Sequence, residues 1–468
     1  MNRLRLSPRL AALAAAGGYL GWRLWRGWRA RQEMARLAAA VGRTRQRVVI
    51  LGAGFGGLFT ALHLSRRLQG DPTVDITLID QHNYHLFTPM LTMVAGGLVE
   101  PRHVCFPVRS LLRRPRFRFR QAEVTGLDLE NRLVHTTVGT LPFDYLVLAL
   151  GSVVNFFGVP EAERYSLPFK EVGDAVSVRN RVIDALEQAT AEPDPDRRRE
   201  LLTFIICGGG PTGVELAAAL HDFIHHSLIG LYPDLSFDEV RIVLVEAQAR
   251  LVPTLDPRLG AAATAVLRRK RVEIRTETSV ARVSPEGVET HTGERLRGRT
   301  VIWCAGIRAH PLVAGLPVPH GRGGTVVVDE FLELVEHPGV YAIGDCAQYT
   351  DPTTGRPLPP DAKVAIQQAE AVARILADRL AGREPAPFTY RYLGDMLSLG
   401  ERDAVAKVGN LVLTGLPAWL LWRLYYLGRL LGTGTRLRVL GDWLLRTFAE
   451  PDIARLDLRP QPLPLGHI

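Results

Sequence analysis

"VVILGAGFGGLFTALHL", Val48 to Leu64, reads as a short apolar strand, a glycine turn and the opening of a helix. The same grammar returns in "FIICGGGPTGVELAAAL", Phe204 to Leu220. Both contain G-x-G-x-x-G. Gly52 and Gly208 permit the tight turn after the strand, and Gly54 and Gly210 let backbone approach a pyrophosphate. Gly57 and Gly213 allow close packing of helix on strand. The N–H groups and dipole of the helix then hold phosphates without a lysine. One such pattern alone is weak. Here each follows an apolar run, opens a helix, and precedes another strand that ends in an acid. Those acids are Asp80, after "DITLI", and Glu246, after "VRIVLV". A carboxylate there accepts hydrogen bonds from a ribose and repels a 2′-phosphate, so Glu246 favours NADH over NADPH. Arg250, four residues further on, would soften that discrimination, and an exposed acid at a strand end is the plain alternative.

The rest of the chain frames these two cradles. Residues 120–150 alternate strand-like runs and turns, a helical stretch near 171–190 opens a new unit, and "GVYAIGDCA", Gly339 to Ala347, resumes the first. The expected fold is α/β: two Rossmann-like dinucleotide-binding domains, the second inserted into the first, plus a C-terminal amphipathic helical membrane-binding region. The expected division is a basic N-terminal segment (1–44), a first domain (45–165 and 309–390), a second (166–308) and a C-terminal region (391–468). At 468 residues and 47% hydrophobic, the chain is long enough for such cores.

Net charge is +9, which suits an anionic surface or ligand. Lysine occurs only at 170, 270, 363 and 407, and arginine supplies the rest of the 57 basic residues, a bias that fits GC-rich coding. Cys105, Cys207, Cys304 and Cys346 form no CxxC pair and no metal-ligand spacing. Redox chemistry must therefore come from a bound cofactor, and no metal is expected. Residues 1–32 carry many arginines and no acid, around the apolar "LAALAAAGGYLGW", Leu10 to Trp22. Those 13 residues are fewer than the roughly 20 a membrane span needs, and a basic interfacial helix is the preferred reading over a cleaved targeting peptide or a short anchor.

Two dinucleotide sites without a Ser/His/Asp cluster suggest hydride passage between two bound dinucleotides. The segments "GAGFGGL", "LIDQHNYHLFTPML", "FDYLVLALGSVVNFFG", "GGGPTGVELA", "VIWCAGIR", "VYAIGDCA" and "AKVAIQQAEAVA" run in order from about residue 46 to 375. Together they resemble the type II NADH dehydrogenases, single-subunit NADH:quinone oxidoreductases of the two-dinucleotide-binding flavoprotein superfamily. The hydrophobic C-terminal stretch also resembles that family's membrane-binding end. The resemblance implies FAD on Gly52, Gly54, Phe55, Gly56, Gly57 and Asp80. It adds the turn Ala149 to Gly151, with Gly344 and Asp345 near the ribityl and phosphate groups. It implies NADH on Gly208, Gly210, Pro211 and Gly213, with Glu246 on the ribose and Ala305–Gly306 near the nicotinamide half. Glu215 resembles the family's "GVEL" glutamate beside nicotinamide and flavin, complementing the helix dipole being its plain alternative.

Hydride passage from nicotinamide to flavin requires stacked rings and excluded water more than an acid or base. In the family a quinone is then reduced, without proton pumping, near a helix written A-Q-x-A-x-Q. Ala362, Ala365 and Gln367 match, but Lys363 replaces the first glutamine. A lysine is still a donor for a quinone carbonyl, yet its ammonium must carry a depressed pKa or find a partner. Leu150, where relatives have Thr, loses a hydroxyl contact.

"LPAWLLWRLYYLGRLLG", Leu416 to Gly432, is too short to span a membrane and mixes aromatics with leucines. Beyond it Arg438, Asp442 and Arg446 recur every four residues, with Leu437, Leu440, Trp443, Leu444 and Phe448 expected opposite. That pattern predicts a helix lying in the headgroup region with aromatic anchors. The expected partners are a membrane quinone and an anionic lipid surface, with no nucleic acid and with pairing of two copies left open. The expected place is the cytoplasmic face of a bacterial inner membrane. Three rivals remain: a sulfide:quinone oxidoreductase, which needs a cysteine pair; a ferredoxin reductase, which needs no amphipathic end; and an NADH-sensing flavoprotein that does not turn over.

Overall fold

The computed structural model describes residues 45–69, 71–112, 117–448 and 453–456. The expected N-terminal interfacial helix lies outside them.

Strand β1 (Gln46–Leu51) is buried on both faces over its last four residues, as its unbroken apolar run requires. The glycine turn feeds helix α1 (Phe55–Leu68), which buries Leu58, Ala61, Leu62 and Leu64. Strand β2 (Val74–Asp80) pairs in parallel with β1, from Gln46 opposite Val74 to Leu51 opposite Ile79. Strand β3 (Arg118–Gln121) edges that side, and β4 (Tyr145–Leu148) flanks β1 on the other. A fifth strand arrives some 190 residues later in the chain.

After β4 the chain leaves through β5 (Ser152–Val154). It then builds a second, wholly parallel sheet from β6 (Leu167–Pro168), β7 (Thr203–Cys207), β8 (Arg241–Val245), β9 (Glu273–Arg275) and β10 (Thr300–Trp303). Helix α2 (Val172–Ala191) follows β6, and helix α3 (Pro211–Asp222) follows β7. The spatial order is β6, β10, β7, β8, β9, with the glycine-bearing strand central as β1 is in the first sheet. The return runs through β11 (Ile307–Ala309), antiparallel to β5 with Ser152 opposite Ala309. Strand β12 (Val340–Ala342) then pairs with β4 and completes the first sheet. Helix α4 (Ala362–Leu380) packs beside α1 on that sheet's core. The second unit is thus inserted into the first, and two outgoing and returning strands, hydrogen-bonded to each other, join them.

The C-terminal part is an antiparallel sheet, β13 (Asp395–Ser398), β14 (Ala404–Val408) and β15 (Leu411–Thr414), followed by helices α5 (Leu416–Arg429) and α6 (Thr433–Phe448). Here the structure corrects the sequence reading. Trp422, Leu430, Val439 and Trp443 join the second unit's apolar core, so these aromatics do not face outward. Arg423 lies between Trp419 and Trp443, 4.0 and 4.3 Å from the ring centres, and burial lowers its pKa to about 10. Asp442 and Arg446 also turn toward the body of the protein. Asp442 Oδ2 lies 2.6 Å from His103 Nδ1 and accepts from Glu100 N at 3.2 Å. Arg446 donates to Glu401 Oε1, Ser227 Oγ and Gly97 O at 3.0, 2.5 and 3.1 Å. The face left to the exterior carries Leu437, Leu440, Leu444, Leu445 and Phe448, the last 86% exposed, beside the exposed Arg436 and Arg438. Leu416, Leu420 and Leu424 of α5 are exposed as well. Among the described residues, no helix is long and apolar enough to cross a membrane.

Candidate active site

Both cradles close by the same contacts. Gly52 has φ +96° and Gly208 φ +112°. A Cβ would meet Ala149 O at 2.2 Å in the first and Cys304 O at 2.5 Å in the second. At Gly57 and Gly213 a Cβ would lie 1.9 Å from the carbonyl oxygen of Gly52 and of Gly208, so helix and turn touch backbone to backbone. Gly56 serves packing too, against Ile343 and Ala149. At Gly54 and Gly210 the outcome is opposite: a Cβ would meet nothing within 4 Å.

Those open positions cap the two helices. The first helical bonds run from Leu58 N to Gly54 O and from Val214 N to Gly210 O. Amides before them have no helical acceptor, and no side chain caps either end. Pro211 opens α3, so the second cradle offers one donor fewer than the first, where Phe55 stands. Uncapped amides, a positive dipole end and open space are what a pyrophosphate requires, so the residues fit two dinucleotides.

The two acids brace the turns. Asp80 accepts from Ala53 N through Oδ2 and from His82 N through Oδ1, each at 2.6 Å, and burial raises its pKa. Glu246, 8% exposed, accepts from Gly209 N and Gln248 N at 2.7 Å. Each oxygen keeps further acceptor capacity for ribose hydroxyls. Arg250 turns to nearby backbone: its guanidinium donates to Pro253 O and Leu255 O, at 2.6 and 3.0 Å.

Register places the remaining positions at the same two edges. Leu51, Leu148 and Ala342 are neighbours across the first sheet, so Gly52, the Ala149–Gly151 turn and Gly344–Asp345 all lie just past its C-terminal edge. Val245, Cys207 and Trp303 are neighbours across the second, bringing Glu246, Gly208 and Ala305–Gly306 together. Gly306 sits under Phe157, whose ring a Cβ there would strike at 2.7 Å. Gly344 N donates to Gln368 Oε1 at 2.8 Å. Asp345 Oδ2 accepts from Ser152 Oγ at 2.6 Å and from Lys170 Nζ at 3.2 Å. Lys170 follows β6 by two residues, at the second sheet's C-terminal edge. The contact therefore ties one dinucleotide edge to the other.

Glu215 points away from a helix-dipole role. Burial pushes its carboxyl up to about 8, against a single hydrogen bond from Ser398 N to Oε1 at 2.8 Å. The shift favours the protonated carboxyl, with Oε1 accepting from Ser398 N. Strand β13 carries both Ser398 and, at its other end, Asp395, which meets Lys363. Lys363 Nζ contacts Gly394 O at 2.7 Å, Asp395 Oδ1 at 2.9 Å and Asp361 Oδ2 at 3.3 Å. Of the two outcomes expected for its ammonium it takes the paired one, and the carboxylates hold its pKa above the ordinary value despite burial. Its three donors are engaged, which corrects the idea of a free donor for a quinone carbonyl. Gln367 likewise clamps Arg391, donating to its carbonyl and accepting from its N–H, each at 2.9 Å.

Sequence reading missed Ser152, Lys170, Phe157, Gln368, Asp395 and Ser398. Gln368 had a signal, being a polar residue on the buried, alanine-rich stripe of α4, where it is 2% exposed. The others meet their partners only through the tertiary fold.

The family model for pyridine nucleotide-disulphide oxidoreductases matches residues 46–369. A type II NADH:quinone oxidoreductase of Mycobacterium tuberculosis is 34% identical, over 89% of this chain and 91% of its own length. This chain belongs to the type II NADH:quinone oxidoreductases. An external NADH-ubiquinone oxidoreductase of Saccharomyces cerevisiae is 28% identical, covering 87% and 82% of the two chains. The NDH2 of Plasmodium falciparum, solved in complex with NADH, shares the fold at a TM-score of 0.80 and 20% identity, over 88% of this chain and all of that one. The family, the two-unit α/β fold and the oxidoreductase activity expected from the sequence are borne out. FAD and NADH are the cofactor pair that goes with them. A sulfide:quinone oxidoreductase of Aquifex aeolicus shares the fold too, at a TM-score of 0.66. All four cysteines here are free thiols, and burial raises the pKa of each.

Proposed function

We propose that this member of the family passes hydride from NADH, bound on the second cradle, to FAD on the first, and two electrons onward to a membrane quinone, without moving protons across the bilayer. FAD supplies the conversion of a hydride donor's two electrons into a form a quinone accepts. The observation that carries the reading is the pair of uncapped, open helix N-termini at sheet edges that meet through Lys170 and Asp345.

The chain's own part is binding, orientation and exclusion of water. Gly52–Gly57 and Asp80 hold one dinucleotide, with Ala149–Gly151, Gly344 and Asp345 along it. Gly208–Gly213 and Glu246 hold the other, with Ala305–Gly306 beneath Phe157. Glu215, with its pKa raised by burial, favours a neutral carboxyl, so no second negative charge opposes the arrival of hydride. Lys363 and Gln367 hold the 391–395 segment that leads to Ser398, and so act as positioning residues. The strand order supports a division into a first unit (45–165, 309–390), a second (166–308) and a C-terminal region (391–468). The outward leucines of α5 and α6 support peripheral attachment to a lipid surface, where a quinone is met. We place that surface at the cytoplasmic side of a bacterial inner membrane, where NADH is supplied.

The test is optical. The purified protein should be yellow, NADH should bleach it without oxygen, and menadione or a ubiquinone analogue should restore the colour. Bleaching without restoration would remove the quinone from the reading. A folded protein that stays colourless when supplied with flavin would remove all of it.

A further inference from the structure

Lysine is rare in this chain, at four positions among 57 basic residues. All four are placed in ion pairs: Lys170 with Asp345, Lys270 with Asp222, Lys363 with Asp395 and Lys407 with Asp256. Arginine is a planar fork with five donors, whereas lysine is a compact point charge. A chain that writes arginine nearly everywhere has kept lysine where a single concentrated charge meets carboxylate.

Lys170 has the most pointed position of the four. Its backbone is fixed, because Lys170 N and Glu171 N both donate to Asp174 Oδ2 at 2.8 Å in the cap of α2. Its side chain crosses from the second unit to the first. Nζ donates to Ser152 Oγ at 2.7 Å and to Asp345 Oδ2 at 3.2 Å, while Ser152 Oγ donates to that same oxygen at 2.6 Å. Ser152 itself lies on the ribbon that joins the units. The ammonium has three N–H groups, and among the described residues two find protein acceptors. So one cation stands where the two dinucleotide edges meet, offsetting a carboxylate on the flavin side.

We propose that Lys170 sets the electrostatics of that junction, and so the reduction potential of the bound flavin, by cancelling the charge of Asp345. The proposal rests on the function given above. Hydride leaves NADH as two electrons and one proton and adds one negative charge to the flavin. The two electrons and two protons, one of them from water, end on the quinone as quinol, and NAD⁺ departs. An uncompensated carboxylate at the junction opposes the added charge; an uncompensated ammonium favours it. Lys170 is thus a positioning and charge-balancing residue with a signed effect.

The experiment is an anaerobic dye-equilibration titration of the purified full-length holoprotein in lipid, with FAD content and NADH KM measured alongside. K170Q should lower the flavin midpoint by about tenfold in the reduction equilibrium, ~30 mV for a two-electron couple. K170R should stay at the wild-type value, and D345N should shift the potential upward. A K170Q potential equal to wild type, with FAD bound, would overturn the proposal, and so would shifts of one sign in K170Q and D345N. A raised NADH KM at constant potential would leave Lys170 a strap between units and nothing more. If K170Q and K170M both lose FAD while K170R keeps it, the residue holds the cofactor and does not tune it, which also overturns the proposal. A wild-type protein that binds no flavin, or is not bleached by NADH, would instead sink the function itself.

Discussion

Glu215 shows how one residue can tie pH to both stability and rate. Its carboxyl titrates near 8, well above an ordinary glutamate, because burial disfavours the anion. Between about pH 4.5 and 8 the folded chain therefore holds a proton that the unfolded chain releases, and stability falls as pH rises through that window. Glu215→Gln removes the titration, so the difference in Tm, variant minus wild type, should grow from pH 5 to pH 8 and then level off. A difference constant with pH would show that the carboxyl is not buried in solution. The rate follows the same logic. On the proposed function, ionised Glu215 would put a negative charge beside the path of hydride, so wild-type kcat/KM for NADH should fall as pH passes about 8, a fall that the glutamine variant lacks. Glu246 gives a second residue-scale prediction. It braces Gly209 and Gln248, the proposed function assigns it the ribose, and Arg250 is committed to the carbonyls of Pro253 and Leu255. Glu246→Ser should thus raise the KM for NADH and narrow the preference over NADPH by about tenfold, on the order of 1.4 kcal/mol. Selectivity unchanged in steady-state kinetics would count against the ribose contact.

At the scale of elements, the two strand–turn–helix units differ in which glycines are mechanical and which leave room for a ligand. A methyl at position 57 or 213 collides with backbone 1.9 Å away, whereas one at 54 or 210 enters open space. Gly210→Ala should fold with an unaltered Tm and stay yellow, yet bind NADH more weakly; Gly54→Ala should fold and lose FAD. Gly57→Ala should lower Tm by several degrees and express poorly, since overpacking costs about 1–3 kcal/mol and here the neighbour is backbone. If Gly210→Ala lost FAD and kept NADH affinity, the two cradles would have to be exchanged. These units were legible in the sequence because their geometry is local: strand, turn and helix lie within some twenty residues, and the acid arrives one strand later. Lys170 and Asp345 are 175 residues apart, and Glu215 and Ser398 are 183 apart. No spacing rule links such pairs. Lys363 illustrates the same limit: its burial was foreseeable, but its carboxylates come partly from β13, which no motif announced.

The whole molecule inverts one expectation, and the inversion has a measurable consequence. An amphipathic pattern marks two faces and leaves open which one the protein itself will cover. In α6 the body offers His103, Glu100 N, Glu401, Ser227 and Gly97 O to Asp442 and Arg446. Asp442 and Arg446 of the charged stripe thereby turn inward, with Val439 and Trp443 packed beside them, while Arg438 stays exposed. Leu437, Leu444 and Phe448 are left outside, continuous in kind with Leu416, Leu420 and Leu424 on α5. Each such side chain inserted into lipid is worth roughly 1.5–3 kcal/mol. Deleting residues 416–468 would remove Trp422 and Trp443 from the core and confuse unfolding with detachment. The cleaner variant is L437E/L444E/F448E, which alters exposed positions alone. Its Tm and its turnover with water-soluble menadione should match wild type, while its partition onto liposomes of mixed anionic and zwitterionic lipid should fall at least 100-fold. Turnover with a long-chain quinone held in those liposomes should fall with it, because enzyme and acceptor no longer share a surface. Co-sedimentation as strong as that of wild type would move the anchor elsewhere in the chain, and loss of menadione turnover would mean that these leucines support the site and not the membrane.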